Sequence, residues 1–453
     1  MENNEQRIFY YNMSNIISDM NDITDITDIT DINDINDIND INDITNIPDI
    51  PGINNQINLY NIGNIKTQIK ETPIKSICLA MIVKNESQVI ERCFKSLNKL
   101  IESGHLKYWV ICDTGSTDGT QDIIKNYWQS NNIKGELHQH EWKNFGHNRS
   151  LLMSLAKGKC DYIITLDADE VFIYENEFEM PNLTADMYFI WTRKNITEYQ
   201  RLQLVSDKFE WFYKGVCHEY LTPIENGQNI PTKTGILKNI WNIPYPDGSR
   251  SSDPNKYKRD ALIFETALLD EPNNIRYIYY LAQSYRDCHD YDNAIKYYKK
   301  RIELTPKCNS EETYYAQLQI AICRICKNEP FSSFAVDLLK AFNIRPIRLE
   351  SAYFFVKYAR ENNMSYVAFQ TFKHVLDKPT LETNDTSFIN GPVYKWQFLH
   401  ELSLVAVASG FYEDSLKILE RLKSENKYPS EISQIIENNY NSITNIIKSK
   451  KTN

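Results

Sequence analysis

Tyr162-Ile163-Ile164-Thr165-Leu166-Asp167-Ala168-Asp169-Glu170 is an apolar run of strand length that stops at three acids within four residues. A short apolar, β-branched run with polar ends reads as a buried strand. Two more segments of the same kind lie upstream. Ile77–Val83 ends at Lys84-Asn85-Glu86, and Trp109–Cys112 ends at Asp113-Thr114-Gly115-Ser116-Thr117-Asp118-Gly119-Thr120. Helical patterns over Val89–Leu100, Gln121–Trp128 and Asn148–Ala156 separate them. Strands alternating with helices predict a parallel sheet with helices on its faces, and such sheets bind ligands beyond the carboxyl ends of their strands. The residues to watch are therefore Lys84–Glu86, Asp113–Thr120 and Asp167–Glu170.

Asp167 and Asp169, one residue apart where a strand stops, can both reach a hard divalent cation with Ala168 turned away. Mg²⁺ or Mn²⁺ held in this way keeps positions open for phosphate oxygens. Asp113, at the last position of its strand, can accept hydrogen bonds from a ribose or a base edge. Part of the Asp113–Thr120 stretch has a plain structural use as well: Gly115 permits a tight turn, and Thr117 or Asp118 can cap the next helix. Asn85 can begin a helix with Glu86 in its first turn, or the pair can line the same crevice.

The rest of the 453 residues divides around this region. The net charge is −10, yet residues 1–65 hold twelve acids and one base, so the remaining 388 residues carry about +1. A near-neutral body excludes a basic nucleic-acid binder. From Asp22 to Asn42 the chain repeats Asp-Ile-Thr or Asp-Ile-Asn, a period of three that matches neither helix nor strand and is expected to stay extended and solvated. No run approaches the ~20 apolar residues of a membrane span, and the start lacks a secretory pattern, so the expectation is cytoplasmic. Nine scattered cysteines fit buried thiols, with the Cys323/Cys326 pair packed in a helix. From about Asp253 the pattern changes to helix pairs. Ile278, Leu281, Ala282, Tyr285, Ala294 and Tyr298, with Pro306 closing, have the spacing of a tetratricopeptide repeat. Leu399 to Leu419 reads as a second copy and 311–346 as a weaker third. The domains expected are a tail and linker (1–72), an α/β domain (73–250) and a helical domain (251–453) that can hold the acceptor, a protein partner or a second copy of the chain.

The order MIVKNE, DTGSTDGT and LDADE resembles the family 2 glycosyltransferases, which have the GT-A fold, and in particular the branch with a tetratricopeptide-like C-terminal half. The resemblance covers about residues 74–305. It implies an α/β GT-A domain with a Rossmann-like mixed sheet, and transfer of a sugar from a nucleotide-diphosphate donor, usually with inversion and assisted by Mn²⁺ or Mg²⁺. Carried over, Asn85, Glu86 and Asp113 would hold the nucleoside, and Asp167 and Asp169 would form the metal-binding DxD. Trp142–Arg149 resembles the stretch W-x-x-x-F-x-x-x-R/A-R-N, with Asn148-Arg149 where Arg-Asn is common. Arg149, in the first turn of a helix, can pair with phosphate or with an acid of the DxD. Tyr213-Lys214-Gly215-Val216-Cys217-His218-Glu219 resembles Y-x-G-x-x-H-E. Glu219 is the candidate base for the acceptor's proton, and His218 a third metal ligand or a diphosphate contact. The aromatic segment Met187–Glu219 suits the acceptor side. The acceptor class (glycan, lipid-linked glycan or peptide) stays open.

Two other readings compete. IITLDADEVFI also fits the opening of haloacid-dehalogenase-like phosphatases, with Asp167 as nucleophile and Asp169 as its acid–base partner. That motif normally lies on the first strand of its domain, and no downstream GDxxxD follows here. A repeat scaffold carrying an inactive transferase domain is the non-enzymatic alternative, against which the intact acidic motifs argue.

Overall fold

The computed structural model describes residues 74–225, 228–230, 232–251, 253–305 and 310–452, all within one compact unit, Lys70–Asn453. The Asp-Ile-Thr/Asn repeat, the 1–72 tail, Pro306 and Cys308 lie outside the described residues. β1 (Ile77–Val83) sits between β2 (Leu106–Asp113) and β4 (Tyr162–Thr165), both parallel to it, and β3 (Lys134–Gln139) lies beyond β2. The period of two sorts the residues of β1 between two cores. Ile77, Leu79 and Met81 pack with Phe94, Ile124 and Trp128, while Cys78 and Ala80 pack with Leu152 and Met153 across the sheet. Burial on both faces is why this strand reads as one unbroken apolar run.

The sheet is mixed. Past β4 it continues through β7 (Thr197–Ser206), β6 (Met187–Lys194), β11 (Thr234–Pro244) and β5 (Glu170–Tyr174), with β4/β7, β6/β7 and β11/β5 antiparallel. β8 (Glu210–Lys214) and β9 (Tyr220–Glu225) form a separate small sheet with β10 (Gln228–Asn229). Two details depart from the sequence reading. The single helix expected over Val89–Leu100 is two, α1 (Ile90–Lys95) and α2 (Asn98–Glu102), because the Ser96 hydroxyl donates to the Cys93 carbonyl while accepting from Phe172 N–H. A side chain that captures a backbone carbonyl interrupts the helical ladder. β3 was not expected, since Lys-Gly-Glu-Leu-His-Gln has one large apolar residue. It is an edge strand, half-buried, and needs no more. α3 (Thr120–Ser130) and α4 (Phe145–Ala156) cover the expected helical stretches.

The remaining chain is a row of tetratricopeptide-like helix pairs behind α5 (Lys256–Asp270). They are α6 (Ile275–Asp287) with α7 (Tyr291–Glu303), α8 (Glu311–Cys326) with α9 (Phe331–Ile344), α10 (Glu350–Glu361) with α11 (Ser365–Phe372), and α12 (Phe398–Ala408) with α13 (Tyr412–Glu425), closed by α14 (Ser430–Thr452). Buried Ala282 and Ala294 in the first pair, and Ala406 and Ser415 in the last, allow the helices to approach closely. The pair α10/α11 falls between the copies expected from sequence. The helices also reach back to the sheet. β12 (Ile389–Asn390) pairs with the start of β7, beyond the point where β4 has ended. Fully buried Arg348 anchors this return by bonding Glu350 and the Phe388 carbonyl.

Candidate functional site

The three acidic stretches meet at one edge because β1, β2 and β4 are parallel neighbours. Asp113 ends β2 with its side chain fully buried. Its Oδ1 accepts from Gly115 and Ser116 N–H at 2.8 and 2.7 Å, and its Oδ2 has no partner. This acid is at the base of a cleft of about 610 Å³ lined also by Lys84, Gln139, His140 and Trp142. A second buried atom in that cleft, His140 Nε2, is likewise without a partner. Buried polar atoms without a partner beside a cleft call for a polar group to satisfy them. Asn85 does a different job. At φ +57° it donates its N–H to Ser116 Oγ and accepts from Thr117 N–H, lacing the end of β1 to the turn after β2. Asp118 is structural too, accepting from Ser87 N–H and from Thr120 N–H and Oγ–H.

Arg149 links two of the sequence motifs. Asn144 caps α4 by accepting from His147 N–H, and buried Asn148 holds the preceding loop through Lys143 N–H and the Glu141 carbonyl. Gly146 has no Cβ, and one there would collide with the Gly215 carbonyl, so the bare backbone lets α4 press against the loop carrying His218 and Glu219. Arg149 then reaches Asp167 Oδ1 at 2.7 Å with Nη2 and Glu219 Oε1 at 2.7 Å with Nε. Asp167 Oδ2 takes a second guanidinium, Arg201 of β7, at 3.0 Å, and Arg201 also pairs with buried Glu170. Burial alone would raise the Asp167 pKa, but the two arginines outweigh it and hold the carboxyl well below its usual range.

Asp169 is left in the opposite state. Burial, then Asp167 and Glu170, push its pKa up to about 6 against a weaker pull from Arg201. Glu86 is raised to about 7 by burial and by Asp169, Asp167 and Asp118, although it accepts from Ser249 N–H. The charge of each of these two carboxylates makes the other harder to ionise. Gly248 closes over this spot: a Cβ there would lie 2.6 Å from Asp169 Oδ2.

Residues 78–179, which contain Glu86, Asp113, Arg149, Asp167 and Asp169, match the family described as Glycosyl transferase family 2. This segment resembles a family 2 glycosyltransferase domain. SPbeta prophage-derived glycosyltransferase SunS of Bacillus subtilis (strain 168) and glycosyltransferase SunS of Bacillus phage SPbeta are each 24% identical over 268 residues, 56% of this chain. The match spans 59% of the length of these curated relatives. Similar solved structures include the MamA protein (TM-score 0.30, 12% identical, 40% of this chain and 87% of that one). They also include YrrB, a TPR protein with an unusual peptide-binding site (TM-score 0.30, 12% identical, 41% and 83%).

The fold brings Arg149, Asp167 and Glu219 into one network and sets Asp113 across β1 from them. His218 is not gathered with Asp167 and Asp169. Among the described residues, the three-ligand group that contains it is Cys217, His218 and Asp260, with ligand atoms within 4.8 Å of one another. Its ring stacks on Tyr280 of α6 at 4.4 Å. Within Met187–Glu219, Trp211 and Tyr213 are core residues, whereas Phe212 is exposed. Arg201 was missed because a single arginine in Glu-Tyr-Gln-Arg-Leu carries no local signal; only the pairing of β7 with β4 brings it to Asp167. No described helix is long and apolar enough to cross a membrane, and every described cysteine is free.

Proposed function

We propose that the chain transfers a sugar from a nucleoside-diphosphate donor to an acceptor hydroxyl or comparable nucleophile, with inversion at the transferred carbon. The observation that carries this reading is the unpaired Oδ2 of fully buried Asp113 at the base of the cleft. It is suited to a ribose or base donor group, and Trp142 at the rim offers a ring for the base to stack on. Glu86 faces the acids of the other strand end, and Asn85 holds the turn that shapes the cleft. Asp169 is the acid without a paired arginine, so it would be the first ligand of a divalent cation, Mn²⁺ or Mg²⁺, which would supply positive charge toward the departing diphosphate, and Asp167 would join it by exchanging one of its two arginines for the cation. Arg149 and Arg201 occupy both oxygens of Asp167 and fix its orientation. That occupancy also disfavours Asp167 as a phosphatase nucleophile.

Glu219 is the base in this mechanism. Its carboxylate is nearly buried and ion-paired with Arg149 Nε at 2.7 Å, which would orient it to receive the acceptor's proton as the acceptor attacks. A single displacement by a nucleophile activated on the face opposite the leaving group inverts the anomeric centre. The reading is tested by incubating the full chain with a panel of nucleotide sugars and Mn²⁺ or Mg²⁺, with and without candidate acceptors, and measuring released nucleoside diphosphate. Cation-dependent release that disappears in Asp169→Asn supports it. No release from any donor, with no nucleoside diphosphate bound in calorimetry, rejects it.

A further inference from the structure

β6 pairs with β7 along one edge, but β4 covers the other edge only as far as Leu204. The start of β7 is covered on that side by the helical half. Ile389 and Asn390 of β12 pair with Glu198 and Thr197, Gln200 N–H donates to the Thr386 carbonyl at 2.8 Å, and Gly391 N–H donates to the Ile196 carbonyl at 3.2 Å. Without this strap, residues 386–391, the backbone groups on that edge would have no strand beside them. Arg201, which bonds Asp167 and Glu170, lies between the end of β4 and the beginning of the strap's cover. The strap is itself tied down. Glu311 Oε2, at the start of α8, accepts from Thr386 and Ser387 N–H at 2.9 and 2.6 Å, and fully buried Arg348 donates to the Ser387 and Phe388 carbonyls at 3.0 and 2.9 Å. Phe388 has φ +53°, a state that a bulky residue seldom takes unless its surroundings impose it. Its ring stacks on Tyr315 of α8 at 4.6 Å and lies 6.0 Å from Tyr199 of β7 and 6.5 Å from Tyr279 of α6. Tyr199 and Arg201, two residues apart on a strand, share one face of it.

We propose that Phe388 is a positioning residue for the acid cluster: wedged between α8 and β7, it seats the strap that completes the edge of β7 and so holds Arg201 in register with Asp167. The proposal rests on the transferase reading for its purpose and extends it, because it makes the helical half part of the machinery that sets the acids. The strain at Phe388 is tolerated because two carbonyl bonds from Arg348 and three aromatic neighbours fix the turn. Released from that turn, residues 196–200 would keep only β6, and Arg201 would lose the edge that fixes the backbone beside it.

The test compares the full wild-type chain with Phe388→Ala, Phe388→Tyr, Arg201→Met and the double variant Phe388→Ala/Arg201→Met. Amide hydrogen exchange over residues 196–200 should quicken about tenfold in Phe388→Ala, the size of one backbone bond loosened, and return to the wild-type rate in Phe388→Tyr, which keeps the ring. In urea unfolding the two single changes should cost less together than their sum, because Arg201→Met removes the pairing that the strap serves. With a nucleotide sugar and Mn²⁺, kcat of Phe388→Ala should fall about tenfold while the donor's KM is unchanged, since the Asp113 cleft lies across β1. Loss of stability alone leaves the kcat of the folded chain as it was. Additive costs, wild-type exchange over residues 196–200 or wild-type kcat in Phe388→Ala each overturn the proposal. Phe388→Leu and Arg201→Lys replace a variant that does not fold and are read by the same outcomes. Faster exchange and a non-additive cycle, with no sugar transfer by wild type from any donor, would keep the strap's hold on Arg201 and reject the transferase reading.

Discussion

Arg149→Met should destabilise the sheet half by about 3 kcal/mol at neutral pH, the lower end of the range for breaking a buried ion pair from one side. The size follows from what the guanidinium holds. Its side chain is 12% exposed and its two partners, Asp167 and Glu219, are 28% and 9% exposed. Removal leaves Glu219 buried without this cation, whereas Asp167 keeps Arg201 and partial access to water, so the second loss is the smaller one. Methionine preserves most of the volume, which separates the charge effect from a cavity. The pH dependence is a second signature. Asp167 has a depressed pKa in the folded chain, so its pairing stabilises above the unfolded value of about 4 and that contribution declines as pH falls below it. The gap between wild type and variant should therefore be largest above pH 5 and narrow toward pH 3. Urea unfolding at pH 7.5 and pH 3.5 can be followed by tryptophan fluorescence, since six of the seven tryptophans, Trp109 to Trp241, lie in the sheet half. A gap below about 1 kcal/mol at pH 7.5, or one that widens in acid, would refute the account of Arg149.

Asp169→Asn should raise stability by about 1–2 kcal/mol at pH 7, because an acid with a raised folded pKa costs stability as pH rises from about 4 through 6. Mn²⁺ should raise the thermal midpoint of wild type more than that of this variant; equal shifts would detach the cation from Asp169. Glu219→Gln should retain nucleotide-sugar affinity in calorimetry while turnover falls by about 10²-fold or more. Loss of donor affinity would make Glu219 a binding residue instead of a base. Gly248→Ala places a methyl 2.6 Å from Asp169 Oδ2 and should cost about 1–3 kcal/mol or displace that carboxylate, read as a lowered midpoint or a weakened Mn²⁺ shift. A variant matching wild type in both would mean the segment after β11 moves freely away from the acids.

The strands that carry the acids were legible because each is buried on both faces, and double burial demands an unbroken apolar run that is visible in one window of sequence. The acid at each strand end was legible for a related reason: in a parallel sheet, the carboxyl ends of neighbouring strands open into the same crevice. Ser96 shows where local reading stops. Its hydroxyl, bonded to the Cys93 carbonyl where the helix divides, also accepts from the N–H of Phe172, 76 residues away. Asn85 is a similar case, since its side chain serves the turn 32 residues on.

By itself, the sequence determined the alternating strands and helices, the parallel centre of the sheet, the helix pairs behind it and the positions of the acids. These depend on periodicity and on residues close along the chain. Only the tertiary structure decided how charge is distributed among the acids. Arg201 lies 34 residues from Asp167, and antiparallel pairing of β7 with β4 brings them together. Arg250 comes to Cys217 through its ion pair with Asp260 of α5, whose Phe264 shares one cluster with Cys217. The sign and strength of electrostatic interactions depend on distance and burial through space, which chain order does not encode. Asp167 is therefore paired with two arginines and Asp169 left with a raised pKa for reasons that no single motif contains.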